Sequence, residues 1–418
     1  MNIGIYVTTL APTSMAQARF QSSLFAGLLK LGSGQFNFKV FSSKIPARFQ
    51  DDEVFQYVAL VKNGRCSGLS FMVRSRISSI VLLGCRLFGA KNNRIFDRML
   101  RWKKYEPKYF QQLRDLDIRL LWNMNQHALP VSIPFIRTIW DVNHRINSMY
   151  PEFSYSRFTF DGLDADIENS LARASYVIVG TEEGKRQLVD IFGVDHRKVR
   201  IIPFPTPELS TADLCSDAVL KVIQKGPYIF YPARMWPHKN HVTILEALRI
   251  LRANGGGANL RCVFSGADEG NLDYVLRYAN KLGLGGQLDY VGVVAESDIA
   301  YLYQRAFALV YASGVGPDNL PPLEAMALGC PVIAADVPGA REQFGNAALF
   351  FDPMNENEIA ERIRELAKSG LLRDDLVQRG RDRAAAWSVE DYARSIRSIL
   401  NEFALVARAW ERSDSKFT

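Results

Sequence analysis

The chain has 418 residues, of which 48% are hydrophobic, so it is long and apolar enough to bury the cores of two or three domains. Its five cysteines are scattered and include no Cys-x-x-Cys pair, which argues against a disulfide framework and against a structural zinc site. The formal net charge of +7 is unevenly placed, because residues 62–119 hold fourteen basic and four acidic residues, an excess of +10.

The N-terminal residues predict a buried strand over residues 3–8, a helix over 17–31 and a second strand over 36–41. The first apolar run is too short for a signal peptide and lacks a preceding basic residue. The longest apolar stretch elsewhere, residues 77–88, is too short to span a bilayer. We therefore interpret the chain as a cytosolic protein without transmembrane helices. The absence of Gly-x-Gly-x-x-Gly after the first strand argues against a nicotinamide or flavin enzyme.

The basic segment, residues 62–119, contains a run at 91–104 in which six basic residues alternate with large apolar ones. An amphipathic helix with a cationic face and embedded aromatic rings can lie on anionic lipid headgroups at a membrane surface. An ordinary surface helix that packs on its own domain explains the pattern equally well. A nucleic-acid partner is disfavoured because no nucleic-acid-binding motif accompanies the charge.

Further strands are predicted over residues 120–123, 135–140, 175–180 and 199–202, with helices over 164–174 and 182–192. Asp141 and His144 follow the second of these strands, and open α/β sheets bind ligands at the carboxyl ends of strands. Both residues are thus site candidates, whereas Trp140 is assigned to packing. Two Asp-x-Asp triplets, at 115–117 and 164–166, could hold a metal, but no other ligands cluster beside them. We therefore interpret these four carboxylates as surface groups and predict no metal site.

Residues 206–226 form a predicted linker, after which the strand and helix alternation resumes over residues 227–387. Strands are predicted over 228–231, 260–264, 288–291, 307–312, 331–335 and 348–351. A final amphipathic helix occupies residues 388–410. The predicted fold class is α/β, with two Rossmann-like doubly wound domains, the first spanning residues 1–205.

Polar and glycine residues follow the strands of the second half, where an open parallel sheet gathers its ligand-binding loops. They are Arg234 and Lys239 after the first strand, Gly266 and Gly292 after the next two, and Glu324 beyond the fourth. Two cations and a helix start suit a diphosphate, whereas a carboxylate suits a ribose diol. This conjunction predicts a nucleotide-binding cleft.

The loop and helix at residues 316–329 are the most distinctive stretch of the chain. Pro321 and Pro322 fit the first turn of a helix, where an N–H would be unpaired anyway. Gly329 fits the left-handed position that ends a helix.

These residues resemble the donor domain of glycosyltransferase family 4. The resemblance rests on Arg234, Lys239-Asn240, Ser265-Gly266, and residues 320–333, 338–342 and 347–353. It implies a GT-B fold, two Rossmann-like domains that face a central cleft, with the last helix, residues 388–418, crossing back to the first domain. It also implies retaining, metal-independent sugar transfer from a nucleoside diphosphate sugar, without a cofactor.

The resemblance assigns the leaving diphosphate to Arg234 and Lys239, and the ribose to Glu324. It assigns the phosphate or sugar to backbone amides near Asn319 and Leu320. A hexosyltransferase similar to mannosyltransferases is therefore expected. It would act in polysaccharide or lipopolysaccharide synthesis on a glycan or lipid-linked acceptor, at the inner face of the membrane.

Two positions depart from the family pattern. Gly316 stands where the family has a first glutamate, eight residues before Glu324, which leaves Asp318 or Asn319 as contacts to the donor sugar. Trp140 stands where the family often has a histidine, which leaves Asp141 or His144 as the acceptor-side polar group. Two alternative functions follow, a nucleotide-sugar 2-epimerase on the same architecture and a non-catalytic protein that binds sugar nucleotides or membranes.

Overall fold

The computed structural model describes residues 1–7, 16–32, 34–42, 51, 54–60, 108–125, 128–154, 157–207, 209, 214–255 and 259–410. The predicted amphipathic run at residues 91–104 and the apolar stretch at 77–88 lie outside these residues. Among the helices that are described, none is long and apolar enough to cross a membrane.

The N-terminal half is built on a parallel sheet of seven strands. These are β1 (Asn2–Tyr6), β2 (Asn37–Ser42), β3 (Phe55–Ala59), β4 (Ile118–Asn123), β5 (Phe135–Thr138), β6 (Tyr176–Val179) and β7 (Val199–Ile201). The helices described with them are α1 (Ala16–Leu31), α2 (Lys108–Asp115), α3 (Asn143–Ile146), α4 (Pro151–Ser154), α5 (Arg157–Arg173) and α6 (Glu182–Phe192). The spatial order is β3-β2-β1-β4-β5-β6-β7, so the order of the strands reverses between β1 and β4. Ligands bind at such a reversal in open α/β sheets.

The C-terminal half repeats this plan with six parallel strands. These are β8 (Tyr228–Pro232), β9 (Arg261–Ser265), β10 (Leu288–Tyr290), β11 (Ala308–Tyr311), β12 (Val332–Ala335) and β13 (Ala348–Phe351). Their order is β10-β9-β8-β11-β12-β13, with the reversal between β8 and β11. The helices are α7 (Asp217–Ile223), α8 (His241–Ala253), α9 (Leu272–Lys281), α10 (Glu296–Arg305), α11 (Leu320–Ala327), α12 (Ala340–Phe344), α13 (Glu356–Lys368), α14 (Gly370–Ala385) and α15 (Val389–Ala407).

Two doubly wound parallel sheets confirm the predicted fold class. The predicted strands agree with the observed ones to within two residues at each end, because strands buried on both faces read as continuous apolar runs. Strand β3 was not predicted. It lies at the edge of its sheet, where most of its side chains are only half-buried, so the sequence carries no strong hydrophobic run.

The last helix, α15, packs against α1 of the first domain rather than on the sheet that precedes it. Its start is fixed by a capping box, in which Ser388 and Asp391 each bond the other's backbone N–H. Its apolar face, including Tyr392 and Ile396, is buried with Phe20 and Trp122 in the core of the N-terminal sheet. The last described helix therefore belongs to the N-terminal domain.

Candidate functional site

The carboxyl edges of the two sheets face each other, because loops from each contact the other. Glu152, beyond β5, accepts a hydrogen bond from the His238 N–H beyond β8, at 2.8 Å. Gly180, at the end of β6, packs so closely on the carboxylate of Asp318 that a Cβ there would overlap it. Leu320 belongs to the donor-side loop, yet it is buried in the core of the N-terminal sheet. The two edges thus form one cleft.

Lys239 lies at the base of this cleft. It ends a short 3₁₀ turn, Pro237–Lys239, between β8 and α8. Its ammonium donates to Ser313 Oγ at 3.3 Å and lies 5.8 Å from the centre of the Tyr311 ring. Burial lowers the pKa of Lys239 to about 8, while the nearby carboxylate of Asp141 opposes that shift. A partly desolvated cation is available there for an anionic ligand.

Arg234 is the second cation of the cleft. Its Nη1 donates to Glu269 Oε1 at 2.8 Å, and 39% of its side chain is exposed. It lies close enough to Lys239 to contribute to the lowered pKa of that lysine. The structure therefore brings together the two side chains that are predicted to bind the diphosphate. Lys239 is buried, whereas Arg234 is partly exposed.

Glu324 lies on α11 and is only 1% exposed. The Tyr303 hydroxyl donates to its Oε2 at 3.1 Å, so the carboxylate is already held by a neighbour from α10. The carboxylate is also near enough to Tyr311 to contribute to the raised pKa of that phenol, which burial dominates. Glu324 thus shares the β11 end of the cleft with Lys239.

Asn319 does not offer the backbone amide that the resemblance implied. Its N–H donates to Gln343 Oε1 at 2.9 Å, and its side-chain oxygen accepts from the Tyr311 hydroxyl at 2.7 Å. Pro321 and Pro322 remove two further donors from the first turn of α11, because proline has no N–H. The anion-binding capacity of this helix start is therefore smaller than the sequence suggested.

Asp318 lies at the contact between the domains. Its carboxyl group packs on Gly180, and Oδ2 is buried without a hydrogen-bond partner among the described residues. Burial raises its pKa well above the ordinary value, and the charges of Glu342 and Asp141 add to this effect. Asp318 therefore contacts the N-terminal sheet, at the end of β6.

The three predicted glycines are required for two different reasons. A Cβ on Gly316 would overlap the Pro338 carbonyl oxygen, and a Cβ on Gly266 would overlap the Ala233 carbonyl. Both positions therefore require glycine for close backbone approach. Gly292 has open space around it and a φ of +68°, so its requirement is conformational. The packing around Gly316 gives the physical reason why no glutamate stands there.

Asp141 faces the donor side from the end of β5. Its Oδ1 accepts from the Asn143 N–H at 3.0 Å. Burial raises its pKa, whereas that hydrogen bond and the charge of Lys239 act in the opposite direction. Trp140 packs instead of reaching the cleft, stacking on Phe204 with ring centres 4.2 Å apart.

His144 is 3% exposed, and its Nε2 pairs with Asp164 Oδ1 at 3.1 Å. The same carboxylate also binds the Arg145 guanidinium, and Asp166 binds Arg137 at 3.2 Å. The second Asp-x-Asp triplet is therefore occupied by cationic side chains. Within the described ranges, no three His, Cys, Asp or Glu side chains form a cluster suited to a metal ion.

Glu152 and His238 were not predicted. Glu152 has a side chain only 4% exposed, and its charge helps to keep the Lys239 pKa from falling further. A carboxylate directly after a proline is common at the start of any surface helix, so the sequence gives no signal for it. Only the position of α4 opposite a histidine from the other domain reveals Glu152.

Residues 216–383 match the family described as "Glycosyl transferases group 1". This match lies within the C-terminal half and covers less than half of the chain. Among relatives, the chain is 26% identical over 239 residues to the O-antigen chain mannosyltransferase RfbU of Salmonella typhimurium, a match over 56% of this chain and 62% of the relative. It is 25% identical over 245 residues to the O-antigen chain mannosyltransferase B of Escherichia coli, a match over 55% of this chain and 61% of the relative. The chain thus covers less than two thirds of either relative.

Solved structures resemble nearly the full length of the chain. Anabaena Alr3699/HepE, solved with UDP and glucose, has a TM-score of 0.66 and 14% identity, over 96% of this chain and 99% of that one. WaaG, described as a glycosyltransferase involved in lipopolysaccharide biosynthesis, has a TM-score of 0.61 and 12% identity, over 95% and 99%. These likenesses show the fold, which is GT-B. The prediction of a GT-B fold is confirmed, and the match to the glycosyl transferases group 1 family supports the predicted glycosyltransferase class. Assignment to family 4 stays a prediction.

Proposed function

We propose that the protein is a retaining glycosyltransferase that moves a hexose from a nucleoside diphosphate sugar to a glycan acceptor. The observation that carries the proposal is the pair Lys239 and Arg234 at the donor-side edge, opposite the carboxylate of Asp141. An anionic ligand between the two edges would meet two cations on one side. The group 1 match over residues 216–383 supports a sugar-transfer role for this edge.

The reaction needs stabilisation of negative charge on the departing diphosphate. Lys239 and Arg234 are fixed before the ligand arrives, through Ser313 and Glu269 respectively. Preset cations in a partly desolvated cleft stabilise charge that develops in the transition state. We propose that they replace a divalent metal here, since the Asp164 and Asp166 carboxylates are bound to arginines.

Glu324 and Asp141 complete the proposed substrate contacts. Glu324 would bind the ribose diol, exchanging or sharing its bond with the Tyr303 hydroxyl. Asp141 is the better of the two acceptor-side candidates, because it faces Lys239 across the cleft, while His144 is paired with Asp164. Burial raises the pKa of Asp141, which makes its carboxylate a stronger acceptor for the proton of an acceptor hydroxyl.

The donor sugar is proposed from the relatives. Both mannosyltransferases act on the O-antigen chain by name, so we propose mannose as the sugar and a polysaccharide or lipopolysaccharide precursor as the acceptor. A thermal-shift panel of GDP, UDP, ADP and their hexose conjugates tests the proposed donor, because a ligand that binds only the folded state raises the melting temperature. No shift with any of them would contradict the proposal.

A transfer assay tests the proposed acceptor. GDP-mannose and UDP-glucose are each supplied with and without a lipid-linked oligosaccharide. Only reactions that contain this acceptor should yield an extended glycan, with retained anomeric configuration. Conversion of the donor to its epimer without an acceptor would instead identify a 2-epimerase.

We further propose peripheral attachment to the cytoplasmic face of a membrane through the basic segment, residues 62–119. Each basic residue near an anionic surface contributes about 1 kcal/mol, and salt screens this attraction. Flotation with vesicles that contain anionic lipid should show binding at low salt and release at high salt. Replacing Arg94, Arg98 and Arg101 with Gln should weaken binding to vesicles but leave nucleotide affinity unchanged. Failure to float at low salt would contradict the attachment.

A further inference from the structure

The acceptor-side segment at residues 150–153 docks on the donor-side turn that carries Lys239. The Phe153 ring stacks on the His238 imidazole with centres 5.0 Å apart. Tyr150 lies 6.1 Å from the same imidazole, edge to face. His238 immediately precedes Lys239 in the 3₁₀ turn. An element of one domain therefore covers the turn that positions the main cation of the other.

Glu152 makes the polar part of this contact. Its Oε1 accepts two hydrogen bonds from His238, one from the backbone N–H at 2.8 Å and one from Nδ1–H of the ring. Burial lowers the pKa of His238, and Lys239 adds to this effect, so the imidazole is neutral and donates through Nδ1. Oε2 of Glu152 is buried and has no hydrogen-bond partner among the described residues.

The contact extends to the other loop that holds Lys239. The His238 carbonyl accepts from the Gly314 N–H at 2.9 Å, and Ser313, next to it, accepts from the Lys239 ammonium. Gly314 itself lies against the Tyr150 hydroxyl so closely that a Cβ would overlap it. Residues 150–153 thus brace both donor-side loops that surround the ammonium.

We propose that Glu152 is a positioning residue that holds Lys239 in place through His238, so that the acceptor-side domain sets the leaving-group cation of the donor side. The inference rests on the proposed function, because it assigns Lys239 to the departing diphosphate. A buried carboxylate with one oxygen unpaired is costly, and an apolar side chain would pack two domains at lower cost. The charge is therefore better explained by its effect on the neighbouring cation.

The charges that face Lys239 support this role. Asp141 and Glu152 face it from the acceptor side, and Arg234 from its own sheet, where Tyr311 contributes an aromatic ring. The two carboxylates raise the pKa of Lys239 against the effect of burial. Removing the charge of Glu152 therefore lowers that pKa and deprotonates the lysine at a lower pH.

Four variants test the proposal by steady-state transfer and by nucleoside diphosphate binding in a thermal-shift assay. Glu152→Ala and His238→Ala should each lower kcat/KM by roughly tenfold, the effect of losing a hydrogen bond to a charged group. The double variant should lose little more than either single one, because both remove the same link. Glu152→Gln keeps an acceptor oxygen for His238 and should recover most of kcat/KM at pH 7.

The pH profile separates positioning from mere packing. In Glu152→Gln, the basic limb of kcat/KM should move to lower pH than in the wild type, since this limb reports the free enzyme. Glu390→Gln is the matched control: it breaks the Lys30–Glu390 ion pair between α1 and α15, far in sequence from the cleft, and should change neither rate nor profile.

Two results would overturn the proposal: an unshifted basic limb in Glu152→Gln, or additive losses in the double variant. Glu152 would also be only a packing residue if a lower melting temperature accounted for the lower rate of Glu152→Ala while Glu152→Gln kept the wild-type pH profile. If the wild type itself neither binds a nucleoside diphosphate nor transfers sugar, the proposed function fails instead, and the two failures are distinguishable.

Discussion

The two edges of the cleft differ in where their polar side chains find partners. On the donor side, Lys239 is held by Ser313 and Glu324 by Tyr303, so each contact lies within one domain. On the acceptor side, Glu152 bonds a histidine of the other domain. The donor edge is therefore built by its own sheet, whereas part of the acceptor edge depends on contact between the domains.

This difference predicts how the two edges respond to change. Nucleotide binding should depend mainly on the donor edge, because Ser313 and Glu269 hold its two cations and Glu152 acts on Lys239 only through His238. Transfer should depend on both edges, because the leaving group and the acceptor hydroxyl react across the contact. Variants of the two edges should thus separate in binding and turnover assays.

The largest effect is expected on the donor side. Lys239→Ala and Arg234→Ala should each lower both nucleoside diphosphate affinity and kcat/KM, by roughly ten- to a hundredfold, since a charge-assisted hydrogen bond is worth about 1.5–3 kcal/mol. Lys239→Ala should lose more, because Lys239 is desolvated and Arg234 is 39% exposed. Isothermal titration with the nucleotide and steady-state rates measure the two losses.

Arg249→Ala provides the control for that comparison. Arg249 is another arginine of the same domain in an ion pair, with Glu246 at 2.7 Å, and its side chain is 44% exposed. It should leave affinity and rate unchanged. Wild-type turnover in Lys239→Ala would show that the diphosphate lies elsewhere.

The next effect concerns the close packing of the donor loop. Gly316→Ala should destabilise the protein by about 1–3 kcal/mol, because its Cβ would overlap the Pro338 carbonyl oxygen and the loop has to shift. A thermal melt should show a fall of several degrees, on the order of 2–4 °C for each kcal/mol. Gly316→Glu, which restores the glutamate of the family pattern, should be at least as unstable.

Gly286→Ala is the matched substitution, since nothing lies within 4 Å of a Cβ at that glycine. It should leave the melting temperature nearly unchanged. An equally stable Gly316→Glu with higher activity would mean that this loop adopts another path in the working enzyme.

The sequence carries more signals for the donor edge than for the acceptor edge, and the reason is physical. Arg234, Lys239 and Glu324 belong to short local patterns in which strand, turn and helix start follow one another. Such patterns can be recognised because the chain itself brings their residues together. The role of Glu152 arises from contact with another domain, at a sequence separation of 86 residues, which no local pattern encodes.

The prediction that amides near Asn319 bind the ligand shows a second limit. A helix start offers free N–H groups only when no side chain reaches them, and Gln343 reaches the Asn319 N–H. That contact comes from α12, so it depends on tertiary packing. Residue type and spacing singled out this loop but could not show that the Asn319 N–H already donates to Gln343.

A smaller effect is expected from the charge that the acceptor edge places opposite Lys239. In the wild type, kcat/KM should fall as pH rises through the pKa of Lys239, about 8, because the lysine loses its charge. Asp141 raises that pKa, so Asp141→Asn should move the basic limb to lower pH. The pH profile of kcat/KM measures this shift.

Asp141→Asn should also lower kcat more than it weakens nucleotide binding, since Asp141 belongs to the acceptor edge. Asn169→Asp, an exposed change on α5, adds a charge far from the ammonium and should leave the limb in place. If the basic limb did not move in Asp141→Asn, Asp141 would have no effect on the Lys239 pKa. His144 would then again be a candidate for the acceptor-side polar group.

The smallest effect is expected from removal of divalent metal. EDTA should change the transfer rate by less than about twofold, because the proposed leaving-group charges are Lys239 and Arg234 and the second Asp-x-Asp triplet is bound to arginines. Asp164→Asn should leave nucleotide affinity unchanged and cost about 1–3 kcal/mol of stability, because it weakens the hydrogen bonds to Arg145 and to the buried His144. If EDTA abolished transfer and manganese restored it, the acceptor edge would also bind the diphosphate, through a metal. The assignment of diphosphate binding to the donor edge would then be wrong. Loss of that manganese response in Asp164→Asn would then identify the triplet as the site.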